Sequence, residues 1–250
     1  MTTAITIMIE PAQEPETCPP AGTDVLAAGR ALVRLMTWLS PSFPVGAFSY
    51  SHGLEWAVES GAIRDEIQLT DWISGLLNHA SGWSDAVLFA QVWKAAHDGD
   101  QERIADIANL AEALAPSRER HLETMAQGEA FIKASAAWPD CMSEALAERG
   151  VRMAYPVAVA VKAAAHEVGA DDALAAFLHG FAANLVSAAV RLVPLGQTDG
   201  LKAMAALEPV ILRVAGRAAL AGLDDLGSAG LASDIAAMKH ETQYTRLFRS

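Results

Sequence analysis

Cysteine is scarce in this sequence, with only Cys18 and Cys141 in 250 residues. The two form no CxxC pair and no disulfide framework, a pattern typical of a protein kept in a reducing cytoplasm. The N-terminal segment MTTAITIMIEPAQEPETCPPAG has no basic residue before its short apolar stretch, so it does not resemble a secretory signal. Its acidic and proline residues instead predict a disordered arm over residues 1–24. We therefore expect a cytoplasmic protein.

Basic residues are also few, with 18 Lys and Arg against 30 Asp and Glu, a formal net charge of −12 and a pI of about 4.9. Nucleic-acid binding depends on clustered basic residues, so this composition argues against it. Charged residues make up only 19% of the chain, below the usual quarter or so, and 52% of the residues are hydrophobic. The excess of apolar side chains predicts an unusually complete core or extensive partner interfaces.

Long uninterrupted apolar runs are missing too. A membrane-spanning helix needs about 20 largely uncharged apolar residues. The two most apolar segments, 153–169 and 177–196, are interrupted by Lys162, His166 and Glu167 and by His179, Asn184 and Arg191. Much of their apolar content is alanine, which contributes little insertion energy. These segments are predicted to be buried helices or subunit contacts and not membrane spans.

The sequence shows no β-type alternation, and its dominant period from residue 25 onward is helical. The two clearest apolar faces follow the i, i+3, i+4, i+7 pattern and consist of Leu69, Trp72, Ile73, Leu76 and Leu77, and of Leu174, Phe177, Leu178, Phe181, Leu185, Ala188 and Leu192. Asp65 with Gln68 resembles a capping box before the first face, and Asp171 or Asp172 is predicted to cap the second. Further helices are predicted over 84–98, 101–114, 118–137, 141–149, 155–167, 200–220 and 231–246. Because the breaks between them are short, we predict one compact all-α domain of about ten helices over residues 25–250.

Serine catalysis is the first chemical hypothesis, because SPSFPVGAFSYSHGLE (residues 40–55) places Ser49 and Ser51 beside His52. A nucleophile elbow requires G-x-S-x-G between a strand and a helix. Ser49 occupies the position of the first glycine for Ser51, and no strand precedes it. The serines are therefore predicted to cap a helix start, and a small helical serine hydrolase stays the alternative function.

Metal and nucleotide sites are not predicted either. His240 and Glu241 begin an H-E-x-x-H pattern, but Tyr244 stands where its second histidine would be. The segment GQTDGLK, residues 196–202, lacks the spacing and the terminal K-[ST] of a P-loop, and we predict a turn there with Asp199 capping the next helix. We therefore expect no stably bound cofactor or metal, although a transient metal contact is left open.

The acidic residues along segment 112–129 are predicted to form a solvated helix face. They are Glu112, Glu119, Glu123 and Glu129. Nothing nearby in the sequence would raise the pKa of one of them, so a paired acid and base is not expected.

Three stretches combine aromatic and basic residues in apolar contexts: SFPVGAFSYSHGLE, LVSAAVRLVPLGQTDG and KHETQYTRLFRS. Tyr, Phe and Arg dominate interface energetics, so these stretches are predicted to be docking surfaces. Slightly extended, the three stretches are SPSFPVGAFSYSHGLE, LVSAAVRLVPLGQTDG and SDIAAMKHETQYTRLFRS. In this order they resemble the UreF family of urease accessory proteins. The resemblance covers roughly residues 32–250. One departure is Leu201, where the family often has glutamine after TDG.

The resemblance implies an all-α, dimeric, cytoplasmic protein without catalysis of its own. Such proteins bridge UreD, called UreH in some organisms, and the nickel-carrying GTPase UreG, and the assembly activates apo-urease. Nickel would then be handled transiently by the complex, and GTP would be bound by UreG only. Besides the serine hydrolase, a helical interaction protein outside urease maturation is a further alternative.

The resemblance also implies partner-binding residues in each stretch. In the first they are Phe48, Ser49, Tyr50 and Glu55; in the second Arg191, Gln197 and Asp199; in the third His240, Glu241, Tyr244, Arg246 and Phe248. The second stretch is expected at the dimer or GTPase-facing surface. The C-terminal segment, residues 239–250, is expected to become ordered on binding the UreD-type partner.

Overall fold

A computed structural model describes the backbone of residues 25–193 and 195–250, with side chains from residue 28 onward except residue 194. The predicted disordered arm, residues 1–24, lies outside these described residues. The α-helices are α1 Val25–Trp38, α2 Leu54–Glu59, α3 Glu66–His79, α4 Ser81–His97, α5 Gln101–Ala113, α6 Arg118–Ala134, α7 Cys141–Glu148, α8 Tyr155–Ala165, α9 Ala170–Leu192, α10 Gln197–Leu220 and α11 Leu231–His240. Single 3-10 turns occur at Ala47–Ser49, Ser135–Ala137 and Leu223–Asp225. No strand occurs in the described residues, which confirms the all-α prediction.

Helix α8 lies at the centre of the core. Every residue from Pro156 to Ala164 is buried, and the helix packs mainly against α4 and α6. Its valines and alanines suit this position because small side chains let neighbouring helices approach closely. Pro156 stands in its first turn, where the missing N–H leaves no hydrogen bond unmade.

Helix α9 is the one helix in the described part of the chain whose length and composition would allow it to cross a membrane. Half of that apolar window is buried inside the protein, and α9 packs against α2, α3, α4, α8 and α10. Its apolar character is thus accounted for by helix–helix contacts.

Most predicted helices begin and end within three residues of the observed ones, and the Asp65 cap is confirmed. The Asp65 carboxylate accepts the N–H of Gln68 at 2.9 Å, while the Gln68 amide oxygen accepts the N–H of Arg64 at 2.8 Å. The predicted cap of α9 is wrong, because that helix begins after Gly169 and Asp171 and Asp172 lie inside its first turn. Carboxylates there still interact favourably with the helix dipole.

Two further predictions need correction. Gln197 and Asp199 do not form a turn before a helix, since α10 begins at Gln197 and Asp199 lies in its first turn, where it accepts the N–H of Gly196 at 3.4 Å. Helix α11 ends at His240 and does not continue to 246. Beyond it the N–H groups of Leu247 and Phe248 donate to the carboxylate of Glu55, so their hydrogen bonds are made outside a helix.

Gly128 lets α6 approach the segment that leads into α8. A methyl group at Gly128 would overlap the carbonyl oxygen of Met153, which is backbone and cannot rotate away. We expect Gly128→Ala to lower the free energy of unfolding by about 2 kcal/mol, as overpacked cores do. The matched control is Gly216→Ala in α10, where nothing lies within 4 Å of the added methyl group. Urea unfolding curves should show a lower midpoint for the first variant only; equal midpoints would contradict this account of the contact.

Candidate functional site: the carboxylates beneath the C-terminal tail

The loop before α2 has an unusual backbone that brings it close to α11. His52 and Gly53 both have positive φ angles, 58° and 75°. A methyl group at Gly53 would lie 2.6 Å from the backbone nitrogen of Ala237, so only glycine allows this approach. His52 is a non-glycine residue in the left-handed region, a conformation that is kept where surrounding contacts hold it.

The end of the chain pairs with this loop through backbone atoms. Arg249 donates its N–H to the carbonyl oxygen of Ser49 at 2.8 Å. Ser51 donates both its backbone N–H, at 2.6 Å, and its hydroxyl, at 2.5 Å, to the carbonyl oxygen of Ser250. Residues 241–250, which we call the tail, therefore lie against the body of the same chain.

Glu55 is the main side-chain anchor of the tail. It is buried, and its two carboxylate oxygens accept the N–H groups of Leu247 at 2.7 Å and Phe248 at 3.0 Å. The second oxygen also lies 3.0 Å from Nε2 of His240. A carboxylate that accepts several N–H groups makes strong charge-assisted hydrogen bonds.

His240 connects two acidic side chains at the end of α11. Its side chain is fully buried, with Nε2 facing Glu55 and Nδ1 only 2.6 Å from the carboxylate of Glu119. The guanidinium of Arg246, in the tail, contacts the same carboxylate of Glu119 at 2.7 Å. The tail thus brings a positive group to a buried carboxylate of the body.

Glu123 forms a second buried group one turn further along α6. It is in contact with the guanidinium of Arg120, lies 2.8 Å from Nδ1 of His52, and accepts the hydroxyl of Ser250 at 2.6 Å. Burial alone would raise the pKa of Glu123, but Arg120, His52 and the hydrogen bonds hold it far below its ordinary value. Burial and Arg120 together lower the pKa of His52, which Glu123 only partly opposes.

Arg191 joins parts of all three predicted stretches. Its guanidinium lies over the ring of Phe248, 4.4 Å from the ring centre, and donates to the carbonyl oxygen of Phe48 at 2.9 Å. The cation–π contact holds the end of the tail against the loop and α9.

The predicted site residues of the first and third stretches meet around Arg191 and the tail, whereas Gln197 and Asp199 lie in the first turn of α10. The residues that meet differ in exposure. Phe48 is two-thirds exposed and Tyr244 fully exposed, whereas Tyr50 is buried. A partner role for Tyr50 stays a prediction and would require its side chain to move outward. Glu241 accepts the backbone N–H of Glu119 at 3.3 Å.

The prediction of a solvated acidic face on α6 is wrong for Glu119 and Glu123, which are buried, while Glu129 is exposed. Several of the groups that contact these two carboxylates, such as His52, His240 and Arg246, lie far away in the chain. A prediction from neighbouring residues alone does not include them. One signal was available: Glu119 and Glu123 are four residues apart and so share one face of α6, with Arg120 between them.

The serine alternative is not favoured by the geometry. The buried Ser51 hydroxyl donates to the carbonyl oxygen of Ser250 and accepts the N–H of Glu55, in the first turn of α2, at 3.3 Å. The N-cap residue of α2 is Gly53, so the prediction that a serine occupies the cap is wrong in position. The imidazole of His52 faces Glu123 through Nδ1. Within the described ranges, no group of three or more His, Cys, Asp or Glu residues is placed to hold a metal ion.

Comparison with known proteins places these features in a family. The UreF family model matches residues 63–208. The urease accessory protein UreF of Rhodopseudomonas palustris strain BisA53 is 57% identical over 236 residues, which cover 94% of this chain and 98% of the relative. UreF of strain HaA2 is 52% identical, covering 89% and 94%, and UreF 1 of Brucella suis is 54% identical, covering 88% and 94%. Since the family model matches more than half of the chain and the relatives match over nearly their whole length, this chain belongs to the UreF family of urease accessory proteins.

Proposed function

We propose that this chain is a non-catalytic adaptor that bridges a UreD-type protein (UreH in some organisms) and the GTPase UreG, and so supports nickel insertion into apo-urease. It would act in the cytoplasm as a homodimer and influence the GTPase activity of UreG. Nickel would be handled transiently by the assembly, and GTP would be bound by UreG alone. Membership of the UreF family supports the role in urease maturation.

The observation that carries the proposal is the outward surface of α11 and the tail. Leu231, Ile235 and Met238 are spaced by four and three residues, so they share one face of α11, and all three are more than half exposed. Tyr244 and Leu247 extend this apolar character along the tail. We call these five residues the α11–tail face.

The opposite side of α11 is buried, which makes the outward face distinctive. Ala236, Ala237 and His240 pack inward against α2 and α6. A surface helix that buries small alanines and a histidine while exposing its large apolar side chains departs from the usual surface pattern. Exposed apolar residues at neighbouring positions are typical of protein–protein interfaces. We assign this face to the UreD-type partner.

A pull-down with separately purified UreD-type and UreG proteins tests the proposal. The variant Tyr244→Ser with Leu247→Ser changes only outward side chains and leaves the backbone contacts of the tail intact. We expect capture of the UreD-type protein to fall about tenfold, the factor that corresponds to losing about 1.4 kcal/mol of binding energy at interface hot spots.

The matched control is Ile67→Ser, which removes an equally exposed apolar side chain from α3. This variant should capture both partners like the wild type. Circular-dichroism melting should show that all three proteins are folded. Undiminished capture by the double variant would refute the α11–tail face, and failure of the wild type to capture either partner would refute the adaptor function.

A further inference from the structure

A cavity of about 190 Å³ lies beneath the loop that leads to α2, between α6, α9 and the start of α8. Its apolar walls include the rings of Phe43, Phe177 and Phe181. The exposed residues Phe48 and His179 also line it, so it is reached from the surface. The volume equals that of about six water molecules in the liquid, enough for a short chain of five or six non-hydrogen atoms.

Asp85 of α4 supplies a carboxylate to this cavity. It makes no hydrogen bond or ion pair with any residue that the structure describes. It also lines a second cavity of about 70 Å³, so it stands between two spaces inside the protein. Burial raises the pKa of Asp85 to about 6. Asp85 is half-buried, and an ionised carboxylate that is partly withdrawn from water and accepts no hydrogen bond is less favourable than a solvated one. A cationic ligand would offset its charge.

The charge of Arg120 favours the ionised form of Asp85, but the hydrogen bonds of Arg120 are made with other residues. Arg120 lines both cavities as well, but its guanidinium is in contact with the carboxylate of Glu123 and with His52. Arg120 and Glu123 together carry no net charge, and burial together with Arg120 lowers the pKa of His52, which disfavours a positive charge on that ring. Ionised Asp85 therefore leaves one unbalanced negative charge at the cavity.

We propose that this cavity binds an alkylammonium or guanidinium group, with the charged end at the Asp85 carboxylate and the aliphatic stem among Phe43, Phe177 and Phe181. A cation balances the charge, and the three phenyl rings remove the apolar stem from water. An anion would add to the negative charge, and a neutral ligand would leave it unbalanced. The group could belong to a free small amine or to a Lys or Arg side chain of a partner protein. The inference does not depend on the adaptor function.

The test is a titration of the full-length protein with n-butylammonium chloride at pH 7.5, followed by calorimetry and by amide NMR shifts. We expect saturable binding that shifts amides around Asp85, and we expect 1-butanol and matched sodium chloride to produce neither. Asp85→Asn has nearly the same shape and should weaken binding about tenfold, the effect of losing a partly desolvated ion pair. Asp106→Asn, the same change at an exposed position of α5, should bind like the wild type.

Three results would overturn the proposal: no saturable binding, equal binding of 1-butanol, or unchanged binding by Asp85→Asn. Melting curves show whether that variant is folded, and we expect it to be at least as stable as the wild type because it removes a half-buried charge that accepts no hydrogen bond.

The two sources are separated by adding n-butylammonium during the pull-down with UreD-type and UreG proteins. If a partner side chain fills the cavity, the amine lowers capture by the wild type; if the natural ligand is a free amine, capture is unchanged. Either outcome agrees with a site that binds an alkylammonium or guanidinium group. Normal capture together with absent amine binding would remove this inference and leave the adaptor function intact.

Discussion

Replacing Glu123 with alanine is expected to lower the free energy of unfolding by about 4 kcal/mol. The substitution leaves the buried guanidinium of Arg120 without its carboxylate and removes the acceptor for Ser250. Breaking a buried ion pair from one side typically costs 3–5 kcal/mol, because the remaining charge stays desolvated. Urea unfolding at pH 7 measures the difference. The control is Glu129→Ala, which lies on the same helix but is exposed and should change stability by less than about 0.5 kcal/mol.

The carboxylate of Glu123 also makes the free energy of unfolding depend on pH. The pKa of Glu123 in the folded protein is held far below the ordinary value of 4.5 by Arg120 and His52, against the opposing effect of burial. A lowered folded-state pKa contributes stability that is present above about 4.5 and is lost as the pH falls below it. Glu123→Gln should therefore lose less stability than the wild type between pH 5 and 3, the interval starting near that ordinary value. Parallel stability curves for the two proteins would contradict the proposed charge balance.

Replacing Glu55 with alanine is expected to release the tail and to lower the free energy of unfolding by about 3 kcal/mol. Two backbone N–H groups and one ring nitrogen of the buried His240 lose their acceptor together. Unsatisfied buried donors cost about 1–3 kcal/mol each, and release of the tail into water recovers part of this. Limited proteolysis should then cut near Arg246 or Arg249 much faster than in the wild type, because a released segment is open to trypsin.

Glu102→Ala is the matched control for Glu55, because both residues stand second in their helices and both lie in the acidic first turn. The two substitutions remove the same interaction with the helix dipole, but only one removes an anchor of the tail. If trypsin cleaves the tail equally fast in both variants, Glu55 does not hold it. Capture of the UreD-type protein should fall with Glu55→Ala and stay unchanged with Glu102→Ala.

Most helices of the body could be predicted from sequence, because the residues that determine each helix lie within a few positions of one another. The apolar face through Leu69 and Ile73 repeats within a few residues, and the Asp65 cap depends on a neighbour three positions away. Boundaries were less accurate where short-range rules compete. Gly169 is the N-cap residue of α9 and makes no side-chain cap hydrogen bond, although Asp171 is a better capping residue by type.

The carboxylate site could not be predicted in the same way, because each of its contacts joins residues far apart in the chain. Glu119 meets Arg246 across 127 positions, and Glu55 meets Phe248 across 193. Before such partners are known, an acidic residue on a helix is expected to face water. The resemblance to a family pointed to the stretches that contain Glu55 and His240, but it did not indicate that these two residues would face each other inside the protein.

Several of the contacts that hold the tail are made by its main chain and others by the side chains of Arg246, Phe248 and Ser250, so its outward residues are under a different sequence constraint. Ser49, Ser51 and Glu55 bind backbone groups of the tail, which every residue except proline provides at the N–H positions. The outward side chains at positions 244 and 247 can therefore diverge between species to follow a changing partner while the tail keeps its place. Proline at position 247 or 248 is the exception, since it would remove a donor to Glu55. Attachment and recognition can thus evolve independently along the same few residues.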